Sequence, residues 1–249
     1  VSVALAVAAL TAVGFLADRM QSGLWRDARQ LLGGDAVVVS DQRTPEAFVQ
    51  QARDAGLQIN TNVSFPTMAR AMVPASHAAG QAGFSAQTPP PATRLVALKA
   101  VEPGYPLRGR LDIAAQAPHN TTTAPALDAA SGIPPAGEVW VDVALLDALN
   151  LQVGQMLGLG ERNLRIGATI TREPDRGAGF MGFAPRVMIN MADLASTGLV
   201  QPASRVSWRM AVAGNDAAVA RFLPWAQAEA DQANVRGVKI ESLDSGRPE

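Results

Sequence analysis

The chain has 249 residues, of which 21 are basic and 22 acidic, so its formal net charge at pH 7 is -1, and it contains no cysteine. The charges are spread without long blocks of one sign, so no basic stripe is available to neutralise phosphates, and nucleic acid is excluded as an expected partner. The lack of cysteine excludes disulfides, thiolate nucleophiles and Cys-ligated metals. It fits a reducing compartment and a bacterial envelope protein equally well.

The first 17 residues carry no charge, and the chain then becomes polar at Asp18 and Arg19. As a helix this run would extend roughly 25 Å, a little short of the roughly 20 residues that span a bilayer core. Because the chain starts with Val1 and not Met, we expect the run to be the outer part of a longer membrane helix. Two alternatives stay open: the remnant of a secretory signal, although no basic region precedes the run, and a buried helix of a soluble domain.

A polar helix is predicted to continue from the apolar run as a stalk. Between its arginines, four apolar residues recur at helical spacing: Met20, Leu24, Ala28 and Leu31. Gly33 and Gly34 follow, as expected at the C-terminus of a helix.

Strand and helix patterns interleave along the rest of the chain, and helices are few. The expected strands are residues 36–39, 63–68 interrupted by Pro66, 94–101, 139–141, 155–159 paired with 163–171, 186–190, 205–213 and 238–243. Helices are expected after Pro45, after Asp142 as the capping residue, around Asp193, and from Asp216 with a kink or a division at Pro224. Pro-rich segments 77–93 and 117–136 are the expected disordered regions. The pattern predicts an α+β fold with a predominantly antiparallel or mixed sheet.

Motifs for catalysis or cofactor binding are missing. The two histidines, His77 and His119, fall in the two Pro-rich segments without a second residue to orient them. No G-x-S-x-G, H-E-x-x-H or P-loop sequence occurs, so no catalytic residue, metal or cofactor is expected. The carboxylates Glu173 and Asp175 are interpreted as solvated charges of a turn.

The segment GAGFMG, residues 177–182, satisfies the dinucleotide pattern G-x-G-x-x-G, but prolines at 174 and 185 stand where a strand and a helix N-terminus are required. We therefore interpret the segment as a loop. It offers apolar side chains on a flexible backbone, and one hypothesis is a loop that contacts lipid, an apolar cargo or a partner protein. The residues concerned are Phe180, Met181 and Phe183. The alternative is that these side chains fold back under the loop.

A family resemblance is carried by residues 138–160, EVWVDVALLDALNLQVGQMLGLG. A strand, a short leucine-bearing helix and the pattern V-G-x-x-L-x-L-G resemble the extramembrane core of MacB/FtsX-like ABC transporter permeases. Further stretches look like the YbbP-type branch of those permeases and extend the resemblance over most of residues 18–249: ARQLLGGDAVVVS, VSFPTMA, LVALKAVEPGYPLRG, REPDRGAGF, APRVMINMADL and ESLDSGRPE.

The resemblance implies a two-lobed MacB-like periplasmic domain on a bacterial inner-membrane permease. Residues 1–34 would be the outer half of the first transmembrane helix and the stalk. A porter-like α/β lobe would comprise residues 35–105 and 204–249, and a β-rich sabre-like lobe, residues 106–203, would be inserted between them. The hairpin predicted at residues 155–171 falls in this insertion.

The implied function is mechanotransmission by a non-catalytic subunit. ATP would be hydrolysed by a separate cytoplasmic ABC ATPase subunit, and the stalk would pass the motion outward to extract or export membrane lipid or other lipophilic cargo. Two other functions stay open: a membrane-anchored scaffold that recruits or activates a periplasmic hydrolase, and a soluble ligand-binding or enzymatic domain.

Overall fold

A mixed β-sheet organises the part of the chain that the computed structural model describes, namely residues 15, 19, 23, 28–72, 91–114, 132–177, 180–201, 204–232 and 235–242. The strands are β1 Ala36–Ser40, β2 Gln58–Ala71, β3 Thr93–Val101, β4 Asp112–Ala114, β5 Glu138–Asp142, β6 Met156–Leu159, β7 Arg162–Arg172, β8 Arg186–Asn190, β9 Ser207–Ala213 and β10 Val238–Ser242. The helices are α1 Glu46–Asp54, α2 Val143–Leu149, α3 Phe180–Phe183, α4 Met191–Leu194 and α5 Asp216–Ala230. Residues 28–32 are also helical and precede β1.

The strands follow the order β10-β1-β9-β2-β3-β8-β5-β7-β4, and β6 pairs with β2 and β7 beside this path. The pairs β3 with β8 and β5 with β7 are parallel, and the other pairs in the described residues are antiparallel. The predicted α+β class with a mixed sheet is therefore confirmed. So is the predicted hairpin, which β6 and β7 form around Gly160.

Helices α1 and α5 cover the β1 and β9 part of the sheet. Their inward side chains, Phe48 of α1 and Phe222 of α5, are fully buried against Val38, Met210 and Val212. The helix α1 begins directly after Pro45, as predicted, because the fixed φ of proline suits a helix start. Burying each such large side chain contributes about 1.5–3 kcal/mol, which fixes both helices on the sheet.

A second core lies under α2, whose leucines at 145, 146 and 149 pack against β3, β6 and β7. A third, smaller core contains Trp140, Met188 and Ile170, with Tyr105 at its border. Alternating inward side chains of the strands supply most of these contacts, as the pleat of a sheet requires.

The predicted interruption at Pro66 is wrong, because β2 runs unbroken through it. On one side of β2, β9 pairs with residues 58–64 and β6 with residues 69–71. Pro66 lies in the interval between these partners, where only β3 pairs with β2. A proline has no N–H to donate, so it is tolerated where one side of the strand has no partner.

Of the two outcomes expected at Pro224, division of the helix does not occur. Helix α5 runs undivided over 15 residues with Pro224 inside it. A proline within a helix costs about 3 kcal/mol. Burial of Phe222 and Ala226 on either side of it offsets that cost.

Several predictions concern residues outside the described part of the chain. Of the apolar run only Phe15 is described, and the Pro-rich segments 77–93 and 117–136 lie mostly outside. Among the described residues, no helix is long and apolar enough to cross a bilayer. The division into residues 35–105 with 204–249 and residues 106–203 stays a prediction.

Candidate functional site

Five polar side chains meet beneath the surface where β3 and β8 run side by side. This buried ionic cluster consists of Lys99 in β3, Tyr105 after it, Glu173 and Asp175 directly after β7, and Arg186 at the start of β8. The four charged side chains are between 0% and 3% exposed. Burial of this extent is rare for charged groups unless they are paired.

The cluster pairs its charges through short contacts. The Lys99 ammonium lies 3.0 Å from Glu173 Oε1, 2.7 Å from Asp175 Oδ1 and 2.8 Å from the Tyr105 hydroxyl. The Arg186 Nε donates to Glu173 Oε2 at 2.7 Å, and the Tyr105 hydroxyl donates to Asp175. Two cations and two carboxylates therefore cancel, as buried ions require.

The interpretation of Glu173 and Asp175 as solvated turn charges is wrong. Their partner Lys99 is 74 and 76 residues away along the chain. Local composition indicates a polar turn correctly, but it carries no information on pairing across such a distance. The one available signal was Lys99, which stands alone among apolar residues at 95–101 of the predicted strand.

The cluster shifts two pKa values in opposite directions. Burial, and then the charges of Asp175 and Glu173, raise the pKa of Tyr105 well above its ordinary value of 10.0. Burial alone would raise the pKa of Asp175, but the charge and hydrogen bond of Lys99 and the hydrogen bond of Tyr105 lower it below its ordinary value of 3.8. The contribution of Asp175 to stability is therefore present above pH 3.8 and lost as the pH falls through the folded-state pKa.

Tyr105 offers a direct spectroscopic test because it is the single tyrosine of the sequence. Its raised pKa stabilises the fold below pH 10, and this contribution is lost as the pH rises through the folded-state pKa. We expect the folded protein at pH 10 to show almost no tyrosinate ultraviolet absorbance and the urea-unfolded protein to show about half of the full signal. Half-ionisation in the folded protein at pH 10 would contradict the buried position.

A second ion pair fixes the chain that follows the cluster. Asp142 is the residue before α2, as predicted, but its side chain makes no capping hydrogen bond. Its carboxylate instead accepts from the Arg176 guanidinium at 3.2 and 2.5 Å and from the Arg186 backbone N–H at 2.7 Å. Arg176 also donates to the carbonyls of Gly182 and Ala184, at 2.9 and 3.2 Å. Arg176 therefore holds α3 against the end of the sheet.

The predicted contact residues lie on α3, so part of the expected loop is a helical turn. Phe183 is 89% exposed, and Met181 is half-buried. The Phe180 side chain lies outside what the structure describes. An apolar side chain as exposed as Phe183, on a turn that Arg176 holds in place, is suited to contact with an apolar partner.

Asp35 connects the helical residues 28–32 to the sheet and defines a stalk junction with Arg29, Arg108 and Gly214. Its buried carboxylate accepts from Arg108 Nε and Nη2 at 3.0 and 2.8 Å and from the Gly214 N–H at 2.9 Å. Arg29 approaches Asp35 at 3.7 Å and Asp216 at 2.9 Å. The hydrogen bond to Asp35 raises the pKa of Arg108. A two-pronged Arg–carboxylate contact restricts orientation as well as distance.

The end of the helical residues 28–32 lies close to the buried ionic cluster. Gly33 ends the helical residues with φ +73°, as predicted, and a Cβ there would lie 3.1 Å from Asp175 Oδ2. At Gly109, next to Arg108, a Cβ would lie 2.7 Å from the Pro174 Cβ. Positions 33 and 109 therefore leave little room for a side chain against Pro174 and Asp175, in the segment that leads to α3.

Of the predicted stalk residues, the structure describes two. Ala28 is half-buried and Leu31 is 70% exposed, both in the helical residues 28–32. Met20 and Leu24 lie outside the described residues, as do His77 and His119. No group of three or more His, Cys, Asp or Glu side chains that could hold a metal occurs within the described ranges.

The comparisons with known proteins point to one class, the ABC transporter permeases. No family model matches the chain. Over 224 residues, 90% of its length, the chain is 33% identical to a curated permease. That relative is the uncharacterized ABC transporter permease YbbP of Escherichia coli (strain K12), and the chain spans 24% of its length. The resemblance to the YbbP-type branch is therefore confirmed.

Two solved structures align over 87% of the chain at low similarity. The periplasmic region of MacB from Actinobacillus actinomycetemcomitans is 11% identical with a TM-score of 0.42, and 92% of it is covered. A domain from Porphyromonas gingivalis described as part of a permease is 10% identical with a TM-score of 0.43, and 94% of it is covered.

Proposed function

We propose that this chain is the periplasmic part of a non-catalytic ABC permease subunit in the bacterial inner membrane. It would couple ATP hydrolysis in a separate cytoplasmic subunit to the extraction or export of lipophilic molecules. The observation that carries this proposal is the 33% identity to a permease over 90% of the chain. The two-lobed MacB-like division belongs to the same proposal.

The stalk junction supports a lever mechanism. A helix can transmit motion to the sheet only if its end is fixed to the sheet. The Asp35 carboxylate makes that connection through Arg108 and through Gly214 at the start of the β9–α5 turn. The close approach of Gly33 to Asp175 would extend the path to the segment held by Lys99 and Arg176.

The test is reconstitution of the full-length permease with its ATPase subunit in vesicles that contain a fluorescent lipid probe. We expect probe movement that requires ATP, and we expect the pair Phe180→Ser and Phe183→Ser to reduce it at unchanged ATPase activity, because an exposed apolar contact would be lost. Since Phe183 is 89% exposed, its substitution alone should change the free energy of unfolding by less than about 0.5 kcal/mol.

Met156→Ser serves as the matched control, because Met156 is also exposed, at 39%, but lies on β6 away from α3. Unchanged probe movement and partner binding in the phenylalanine variants would contradict the contact role of α3. Probe movement without ATP would contradict the transport proposal itself.

The exposed Phe183 also favours a second candidate, the scaffold that recruits a periplasmic hydrolase. An exposed aromatic side chain on a fixed turn is typical of protein contacts as well as lipid contacts. Binding of a periplasmic hydrolase that is lost with Phe183→Ser, together with no ATP-driven probe movement in the unchanged protein, would favour the scaffold.

A further inference from the structure

Two cavities adjoin on one face of the sheet at Pro66, which lines both. One, of about 760 Å³, follows β2 towards Arg70, and the other, of about 430 Å³, lies beside Ser64. In the pairing of β2 with β3, Ser64 is opposite Lys99 and Met68 is opposite Leu95. Opposed residues share a face, so the two cavities form one β2 groove, about 13 Å long from Ser64 to Met68.

The larger section of the β2 groove is apolar. Met68 and Leu95 lie side by side and are 47% and 44% exposed, with Pro66 and Leu199 beside them. Arg70 is the charged residue at the far end, and its Nη2 is engaged by the Gly160 carbonyl at 2.7 Å. Covering this apolar surface with hydrocarbon is favourable because it removes the surface from water.

The smaller section is cationic. Its lining includes five basic side chains, Lys99, Arg176, Arg186, Arg205 and Arg209, and one carboxylate, Asp175. Four of these cations have carboxylate partners: two in the buried ionic cluster, Arg176 on Asp142, and Arg209 on Glu241 at 2.8 Å. Arg205 makes no ion pair within the described part of the chain. Among the described residues, one positive charge over this cavity therefore has no carboxylate partner.

We propose that the β2 groove binds a lysophospholipid with one acyl chain and one negative charge. The acyl chain lies against Pro66, Met68 and Leu95, and the phosphodiester accepts hydrogen bonds from Arg205. The guanidinium fork of arginine matches a phosphate in geometry as well as charge. This inference rests on the proposed function, since it gives the lipophilic ligand a chemical class and a site.

The cationic section, with a volume of about 430 Å³ and two serine hydroxyls in its lining, suits a phospholipid head group better than a bare carboxylate. Ser64 and Ser207 line the same cavity and offer hydroxyls to a glycerol group. Met181 of α3 also lines it, so the predicted contact turn borders the head-group end of the groove.

The experiment uses the full-length protein in nanodiscs of phosphatidylcholine and a lysophosphatidylglycerol with a photoactivatable group in its acyl chain. Labelled peptides are mapped by mass spectrometry. We expect labelling within β2 and β3, reduced about tenfold by Arg205→Gln, the usual loss when one charge-assisted hydrogen bond is removed. Met68→Gln should also reduce it. Arg94→Gln is the control, because Arg94 is exposed on β3 but alternation directs it to the opposite face.

Three results would overturn the inference: labelling outside the groove, equal labelling by a lysophosphatidylcholine of the same chain, and equal competition by a fatty acid of the same chain. Its failure is distinguishable from that of the proposed function. Groove labelling without ATP-driven probe movement contradicts the transport proposal and leaves the site in place. ATP-driven movement without groove labelling contradicts the site alone.

Discussion

Replacement of Lys99 by methionine is expected to lower the free energy of unfolding by about 3–5 kcal/mol, the usual cost of removing one partner from a buried ion pair. Methionine approximates the length of the lysine side chain, so little packing is lost. Among the described residues, the Asp175 carboxylate, 3% exposed, would then keep the Tyr105 hydroxyl as its one hydrogen-bonded side-chain partner, and Glu173 would keep Arg186. Urea unfolding followed by tryptophan fluorescence measures the change.

A double variant separates charge from packing. Lys99→Met with Asp175→Asn returns the cluster to neutrality, so it should be more stable than Lys99→Met alone, although it removes one more native group. Arg94→Met, at an exposed position of the same strand, should change stability by less than about 0.5 kcal/mol. A loss below about 1 kcal/mol for Lys99→Met would show that water reaches the cluster.

The second large effect is expected at the stalk junction. Asp35→Ala removes the acceptor of two Arg108 hydrogen bonds and of the Gly214 N–H. We expect a loss of about 2–3 kcal/mol, at the lower end for a buried ion pair because the Arg108 side chain is 37% exposed and can be hydrated. In reconstituted vesicles, ATPase activity should persist while probe movement falls, since the stalk would no longer be fixed to the sheet.

Asp216→Asn is the matched control for the junction. Asp216 also pairs with Arg29, at 2.9 Å, but is 81% exposed, so the substitution should change neither stability nor coupling appreciably. If an Asp35→Ala protein that is folded at the assay temperature still coupled ATP hydrolysis to probe movement normally, the stalk junction would not be needed to transmit the motion.

The strands were predictable because their periodicity is local. The alternation of Trp208, Met210 and Val212 predicted β9, and the proline before α1 predicted where that helix begins. The predicted break at Pro66 was wrong, and of the kink or division expected at Pro224 the division does not occur, because tertiary context decided both. Pro66 lies where β2 has one partner strand, and the buried residues around Pro224 hold α5 together.

The site was less predictable because its contacts join distant parts of the chain. Glu173 and Asp175 pair with a lysine of β3, and Asp35 pairs with Arg108 some 73 residues away. Neither pairing leaves a local pattern. The exposed phenylalanine of α3 matches one of the two outcomes left open for these residues, because three apolar residues between glycines and prolines form a segment without a core face of its own.

The most direct test of the lever is the number of lipid probes moved per ATP hydrolysed after a flexible Gly-Ser segment is inserted behind Ala17, in the predicted helix ahead of the stalk junction. The same segment inserted after Gly56, in the open turn between α1 and β2, is the control. We predict that the first insertion abolishes movement while ATPase activity persists, and that the control retains both. Full coupling with the insertion behind Ala17 would contradict transmission through the stalk.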